Sequence, residues 1–276
     1  MRATRRPARI SRRLFLSAAS SAVLARPLSA SSAATRTSMW LAYTSFAVRL
    51  RQGRDLLEGN ASALDASAFR EACTRFEASG GQIDFSQLPA DAAVLPAVKE
   101  AFAHDGLQVE VSMPAGALAT PERFAAAVAT ARAIGATRAR VALLSGRRYE
   151  SFETAAAWTA FTSTWRETLL RMRPEFERHR FAIGIENHKD WLAPELVSLL
   201  RAIDSRYVGA CVDFGNNIAL LEDPDETIET LAPFAVTTHV KDMAVRRTSE
   251  GFELSEVPLG QGILQLGRYI DIVQRA

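Results

Sequence analysis

The chain has 276 residues, 48% of them hydrophobic, with 33 basic and 31 acidic side chains and a net charge of +2. That is enough apolar material for a full core, and it excludes disordered and collagen-like classes. The charge is unevenly spread: residues 1–36 hold eight arginines and no acid, leaving 25 basic against 31 acidic side chains, a net −6, for the remainder. A body of that sign lacks the basic footprint of non-specific nucleic-acid binding, so no nucleic-acid partner is expected.

Residues 1–36 read as an address label. Arg12 and Arg13 precede a short apolar run and then small residues, in "SRRLFLSAASSAVLA" followed by "PLSASSAAT". The apolar run is too short for a bilayer span of roughly 20 residues. Ser11 to Leu16 is similar to the twin-arginine export signal of bacteria. That resemblance implies the twin-arginine machinery as a partner and a periplasmic or secreted location. No cysteine follows the run, so no stable membrane anchor is expected. The alternative is a basic tail without structure.

From residue 37 onward, short apolar runs alternate with longer helical patterns. Strand-like runs fall at 39–46, 81–86, 107–113, 138–144, 181–186, 208–214 and 235–241, each bounded by turn or helix signals as buried parallel strands are. A helix from about Asp65 to Ser79 puts Phe69, Cys73 and Phe76 on one face and stops at Gly80-Gly81. Another opens with Thr120 as N-cap and Pro121 at the first helical position, and closes at Gly135. The longest lies between about Phe152 and His179, and an acidic one covers 223–234. Residues 243–262 read as a loop, followed by a helix from about Ile263. Cys73 and Cys211, the only cysteines, read as buried apolar residues rather than a disulfide or metal pair.

Repeated strand–helix units mean a parallel sheet, and seven of them without a glycine-rich phosphate loop fit a (β/α)8 TIM barrel better than a doubly wound sheet. An eighth unit is missing from the pattern, so the expectation is a leader at 1–36 and a C-terminally incomplete barrel at 37–276.

Active sites of such barrels lie at the C-terminal ends of the strands. Three successive runs here end on a metal-type side chain: Glu186 in "FAIGIENH", Asp213 in "VDFGNN" and His239 in "THVKD". Two carboxylates and an imidazole on one rim suit a divalent cation such as Mn2+, Mg2+, Co2+ or Zn2+. His188 reads as lining a substrate pocket. Lys241, two residues past His239, points to the same side and reads as a contact for substrate oxygens. Asp242 is either a supporting partner or a turn residue. Trp40 and Phe85 offer apolar surface for a sugar or, more simply, for the core. His104 and His179 read as exposed helix ends.

The motifs "IENH", "VDFGN", "HVKD" and "PLGQG", in that order and spacing, resemble the sugar phosphate isomerase/epimerase group of the xylose isomerase-like barrels. The resemblance implies a metal held by Glu186, Asp213 and His239, with a second glutamate on an eighth strand. It also implies that Glu186 is both ligand and acid/base, removing a proton beside a carbonyl of a small carbohydrate. Asn216 takes a place where some relatives carry a histidine, which disfavours a multi-metal nuclease site and leaves Asn216 as a substrate contact. The expected activity is a metal-dependent sugar isomerase or epimerase. A keto-inositol-type dehydratase and a non-catalytic extracytoplasmic carbohydrate-binding barrel are the alternatives.

Overall fold

The computed structural model describes residues 38–42 and 65–276. The expected leader and the expected strand residues 43–46 lie outside them. Strand β1 (Trp40–Ala42) is followed by helix α1 (Ala66–Arg75), β2 (Gly80–Asp84), α2 (Leu95–His104), β3 (Gln108–Ser112), α3 (Pro121–Ala133) and β4 (Arg138–Val141). Then come α4 (Ala155–His179), β5 (Ala182–Glu186), α5 (Ala193–Ile203), β6 (Val208–Asp213), α6 (Pro224–Leu231) and β7 (Ala235–His239). The seven strands form one parallel sheet in sequence order, each paired with the next. This is the expected TIM barrel without an eighth unit: among the described residues no strand joins β7 to β1.

Local chemistry explains the boundaries. The Thr120 hydroxyl accepts from the Arg123 backbone N–H at 3.3 Å, with Pro121 at the first helical position of α3. Thr154 caps α4 in the same way, its hydroxyl accepting from Ala157 N at 3.1 Å. Asp65 caps α1. Helix α1 lies against β2 so closely that a Cβ on Gly81 would meet the Phe69 ring at 2.7 Å and Cys73 Sγ at 2.9 Å, so the strand begins on glycine. Both cysteines are buried and unpaired, and burial pushes the Cys73 thiol up to about 12. They are core residues, as expected.

Between the strands and the outer helices, Phe69, Phe102, Phe124, Phe176 and Phe181 are almost wholly removed from water. Each stabilises the fold by roughly 1.5–3 kcal/mol relative to exposure. Phe124 of α3 and Phe176 of α4 meet edge to face with centroids 5.2 Å apart. His179 also packs on Phe124, at 5.4 Å, so it is a wedged helix end rather than an exposed one; His104 is exposed as expected.

The stretch expected to be a loop after β7 is largely a hairpin. β8 (Asp242–Thr248) and β9 (Gly251–Val257) pair antiparallel around a tight turn that ends on Gly251 at positive φ. Its strands are mostly exposed and charged, with Arg246 paired to Glu253, so the apolar alternation that marks a half-buried strand is absent. The last helix, α7 (Leu266–Arg275), begins three residues later than expected and packs Tyr269 against Phe214.

Candidate metal centre

Parallel pairing in register brings the ends of β5, β6 and β7 side by side, with Glu186 beside Cys211 and Asp213 beside His239. One ligand atom from each of Glu186, Asp213 and His239 lies within 4.8 Å of the other two, as sharing one ion demands. Both carboxylates are buried.

Each group is fixed from outside. His239 Nδ1 is 3.0 Å from Glu186 Oε1 and 3.9 Å from Asp213 Oδ2, while Nε2 is 2.9 Å from Gln82 Oε1. Glu186 Oε2 accepts from the guanidinium of Arg140 on β4, which also donates to Ser112 Oγ at 3.1 Å. Asp213 Oδ1 accepts the backbone N–H groups of Gly215 and Asn216, both at 2.9 Å. Its other oxygen, Oδ2, is buried and accepts no aligned hydrogen bond, although the Lys241 ammonium stands 3.1 Å away. Two buried carboxylates and an imidazole turned onto one point, with Asp213 Oδ2 met only by that ammonium, are oxygen and nitrogen donors of the kind a divalent cation takes. The donor set therefore fits a divalent ion, held by Glu186, Asp213 and His239.

The electrostatics agree. Burial would raise the Glu186 pKa, but Arg140 and His239 outweigh it and hold the carboxyl well below its usual range. Burial would lower the His239 pKa, but Glu186 and then Asp213 hold it above its ordinary value. A divalent ion would take over that role, because a ligating imidazole must be neutral.

The other expected site residues gather here. Asn216 is buried and donates to Glu186 Oε1 at 3.3 Å while accepting from Lys241 Nζ at 3.0 Å. Lys241 also reaches Glu256 on β9, at 3.3 Å. His188 places Nδ1 3.2 Å from the Leu144 carbonyl, so Nδ1 carries the proton and Nε2 is left as an acceptor. Burial keeps that imidazole's pKa below its ordinary value. Asp242 is a supporting partner: its carboxylate accepts backbone N–H groups from Met243, Gly260, Gly262 and Leu264, tying "PLGQG" to the start of β8. Burial opposes its ionisation, but those donors prevail and lower its pKa.

Sequence reasoning missed Arg140, Asn187, Gln82, Glu110 and Glu256. Asn187 pins β5 to β6, its amide accepting from Asp213 N at 2.7 Å and donating to Asp213 O at 2.9 Å. Polar residues at alternate positions of otherwise apolar strands, such as Arg138 and Arg140 in "RARV", were the available signal.

An incomplete parallel barrel with a carboxylate–imidazole cluster at its strand exits defines a class of metal-type α/β barrels. The family model of the xylose isomerase-like TIM barrel matches residues 71–276, and the chain belongs to that family. It is 39% identical over 93 residues to the 3-oxo-isoapionate decarboxylase of Pectobacterium atrosepticum, covering 33% of this chain and 34% of that protein. It is 29% identical over 91 residues to the uncharacterized protein YihM of Escherichia coli, covering 33% and 28%. These matches span about a third of the length of the curated relatives. Among solved structures, a D-psicose 3-epimerase superposes with a TM-score of 0.62 at 11% identity, over 86% of this chain and 82% of that one. The probable 3-DHS dehydratase AsbF of Bacillus anthracis superposes with a TM-score of 0.60 at 15% identity, over 87% and 90%. At such identities the likeness is one of fold. No helix among the described residues is long and apolar enough to cross a membrane.

Proposed function

We propose that the chain is a divalent-metal-dependent sugar isomerase or epimerase that acts on a small keto-sugar by removing a proton from the carbon beside the carbonyl. The observation that carries this reading is the convergence of Glu186, Asp213 and His239, one ligand atom of each lying within 4.8 Å of the other two. A divalent ion held by Glu186, Asp213 and His239 would supply Lewis acidity that makes the C–H beside a sugar carbonyl more acidic. Glu186 is ionised, and its carboxylate, held by Arg140 at Oε2 and turned to the cluster through Oε1, is the base that would accept the proton. His188, neutral and with Nε2 as acceptor, orients a sugar hydroxyl. Lys241 and Asn216 contact substrate oxygens at the edge of the centre.

A second reading has its own support. Loss of CO2 from a 2-hydroxy-3-oxo acid leaves the electron pair as an enediolate, as proton removal beside the carbonyl of a ketose also does, and then needs a proton donor but no second base. The decarboxylase relative favours it, as does the Lys241 ammonium 3.1 Å from Asp213 Oδ2. Incubation with ketoses and with 3-oxo sugar acids in D2O, with and without Mn2+, separates the two. An isomerase or epimerase places deuterium on carbon without gas release, and a decarboxylase releases CO2. Glu186→Gln should abolish turnover with the fold intact; a variant with normal metal-dependent activity would remove Glu186 as the base, and a wild type that turns over neither class of substrate would favour a binding protein. We also propose that residues 1–36 direct twin-arginine export to the periplasm or medium, supported by Ser11 to Leu16 and the acid-free start. Changing Arg12 and Arg13 together to lysine should strand the protein in the cytoplasm, and undiminished export would refute this.

A further inference from the structure

Gln82 and Glu110 are side by side on β2 and β3, and both are buried. Gln82 Nε2 is 2.6 Å from Glu110 Oε1, and Gln82 Oε1 is 2.9 Å from His239 Nε2. Glu110 Oε2 accepts the hydroxyl of Thr237 on β7 at 2.9 Å and lies 3.2 Å from Arg138 Nε. A carboxylate only accepts hydrogen bonds, so the end of the Gln82 amide that faces Glu110 must be its NH2 group. The other end is then the carbonyl, which only accepts, so the ring nitrogen facing it must carry a proton. His239 is left with Nδ1 as its one metal-binding atom, on the side of Glu186 and Asp213.

We infer that Gln82 and Glu110 are positioning residues for the metal centre, setting the tautomer of His239 so that Nδ1 is presented to the ion. Glu110 acts through Gln82: it dictates which way the amide points and is itself held by Thr237 and Arg138 across the barrel interior. The inference rests on the metal-centre reading, and its test separates the two. In Glu110→Gln the two facing amides can both rotate, so Gln82 can turn its NH2 group toward His239. Gln82→Leu removes the acceptor altogether. The exchange Gln82→Glu with Glu110→Gln keeps an acceptor facing His239 and a donor between the two strands.

Co2+ titration of the metal-stripped full chain, followed by its visible absorption, reads affinity and coordination without any substrate. Circular dichroism establishes that each variant is folded. The single variants should lose roughly 10–100-fold in Co2+ affinity, the usual cost of removing an outer partner of a ligand. The exchanged pair should recover most of it with the wild-type absorption bands, which a merely structural role for either residue does not predict. Folded Glu110→Gln and Gln82→Leu variants that bind Co2+ as the wild type does overturn the inference and leave the metal centre standing. A wild-type chain that takes up no Co2+ overturns both.

Discussion

Arg140→Met tests whether the cluster at the strand exits is suited to hold a cation. Among the described residues Arg140 is the only guanidinium hydrogen-bonded to Glu186, and both side chains are largely removed from water. Methionine keeps most of the aliphatic stem but leaves Glu186 as a buried anion. Removing one partner of a buried pair costs about 3–5 kcal/mol. His239 Nδ1, 3.0 Å from the other oxygen of Glu186, still supplies part of the counter-charge, which places the loss near the lower end. For a domain of this size each kcal/mol moves the melting temperature by about 2–4 °C, so a loss of about 3 kcal/mol corresponds to about 6–12 °C. Thermal unfolding in EDTA reads that shift directly. In saturating Mn2+ the gap between variant and wild type should narrow, because an ion bound only by the folded state stabilises it and supplies the missing charge. A shift under about 2 °C in EDTA, or an equal shift with and without Mn2+, would refute the reasoning.

Asp213→Asn keeps an oxygen for the N–H groups of Gly215 and Asn216 but removes the charge from Oδ2. Calorimetric metal titration should show a loss larger than the roughly 10–100-fold that follows removal of an outer partner, and the melting temperature in EDTA should fall as well, because Lys241 keeps only Asn216 and Glu256 once the charge on Oδ2 is gone. Burial pushes Asp190 up to about 7, against the opposing N–H groups of Trp191 and His188. A folded pKa raised above the unfolded one means that stability is fully present below about pH 4 and is lost as pH rises through about 7, by up to about 4 kcal/mol. Urea unfolding of wild type and Asp190→Asn at pH 5 and 8 should show the variant losing less; parallel losses would exclude Asp190 as the cause. Gly262→Ala would drive a Cβ against the Asp242 carboxylate and the Met243 carbonyl. It should cost about 1–3 kcal/mol, seen as a lower urea midpoint at unchanged m.

Strand periodicity carried the architecture because buried parallel strands are short apolar runs whatever their detailed packing. Glu186, Asp213 and His239 were legible for the same reason: each is a charged or imidazole residue ending such a run, and the register of the sheet then brings them together. The groups that orient them were not. Gln82, Glu110 and Arg140 lie within the strands, where a polar residue among apolar ones signals an inward position but not which of six other strands it faces. Glu256 reaches Lys241 only because residues 242–257 fold into a hairpin, and those residues lack the apolar alternation by which a strand is recognised.

Lys241 shows how these layers combine. Its ammonium is 3.1 Å from Asp213 Oδ2, 3.0 Å from Asn216 Oδ1 and 3.3 Å from Glu256 Oε1. Burial opposes its charge, yet Asp213 and then Glu256 outweigh burial and raise its pKa, so it is a cation throughout the physiological range. Two like charges cannot both sit against one buried carboxylate oxygen without strong repulsion. A divalent ion that takes Asp213 Oδ2 must therefore weaken the Lys241 contact there, and the remaining acceptors are Asn216 beside the centre and Glu256 on the hairpin. The same lysine can then neutralise Asp213 in the metal-free protein and face substrate oxygens in the loaded one. That exchange requires a mobile, single-point cation with a second acceptor in reach, and a lysine with Glu256 beside it meets the requirement where a forked arginine fixed on Asp213 would not.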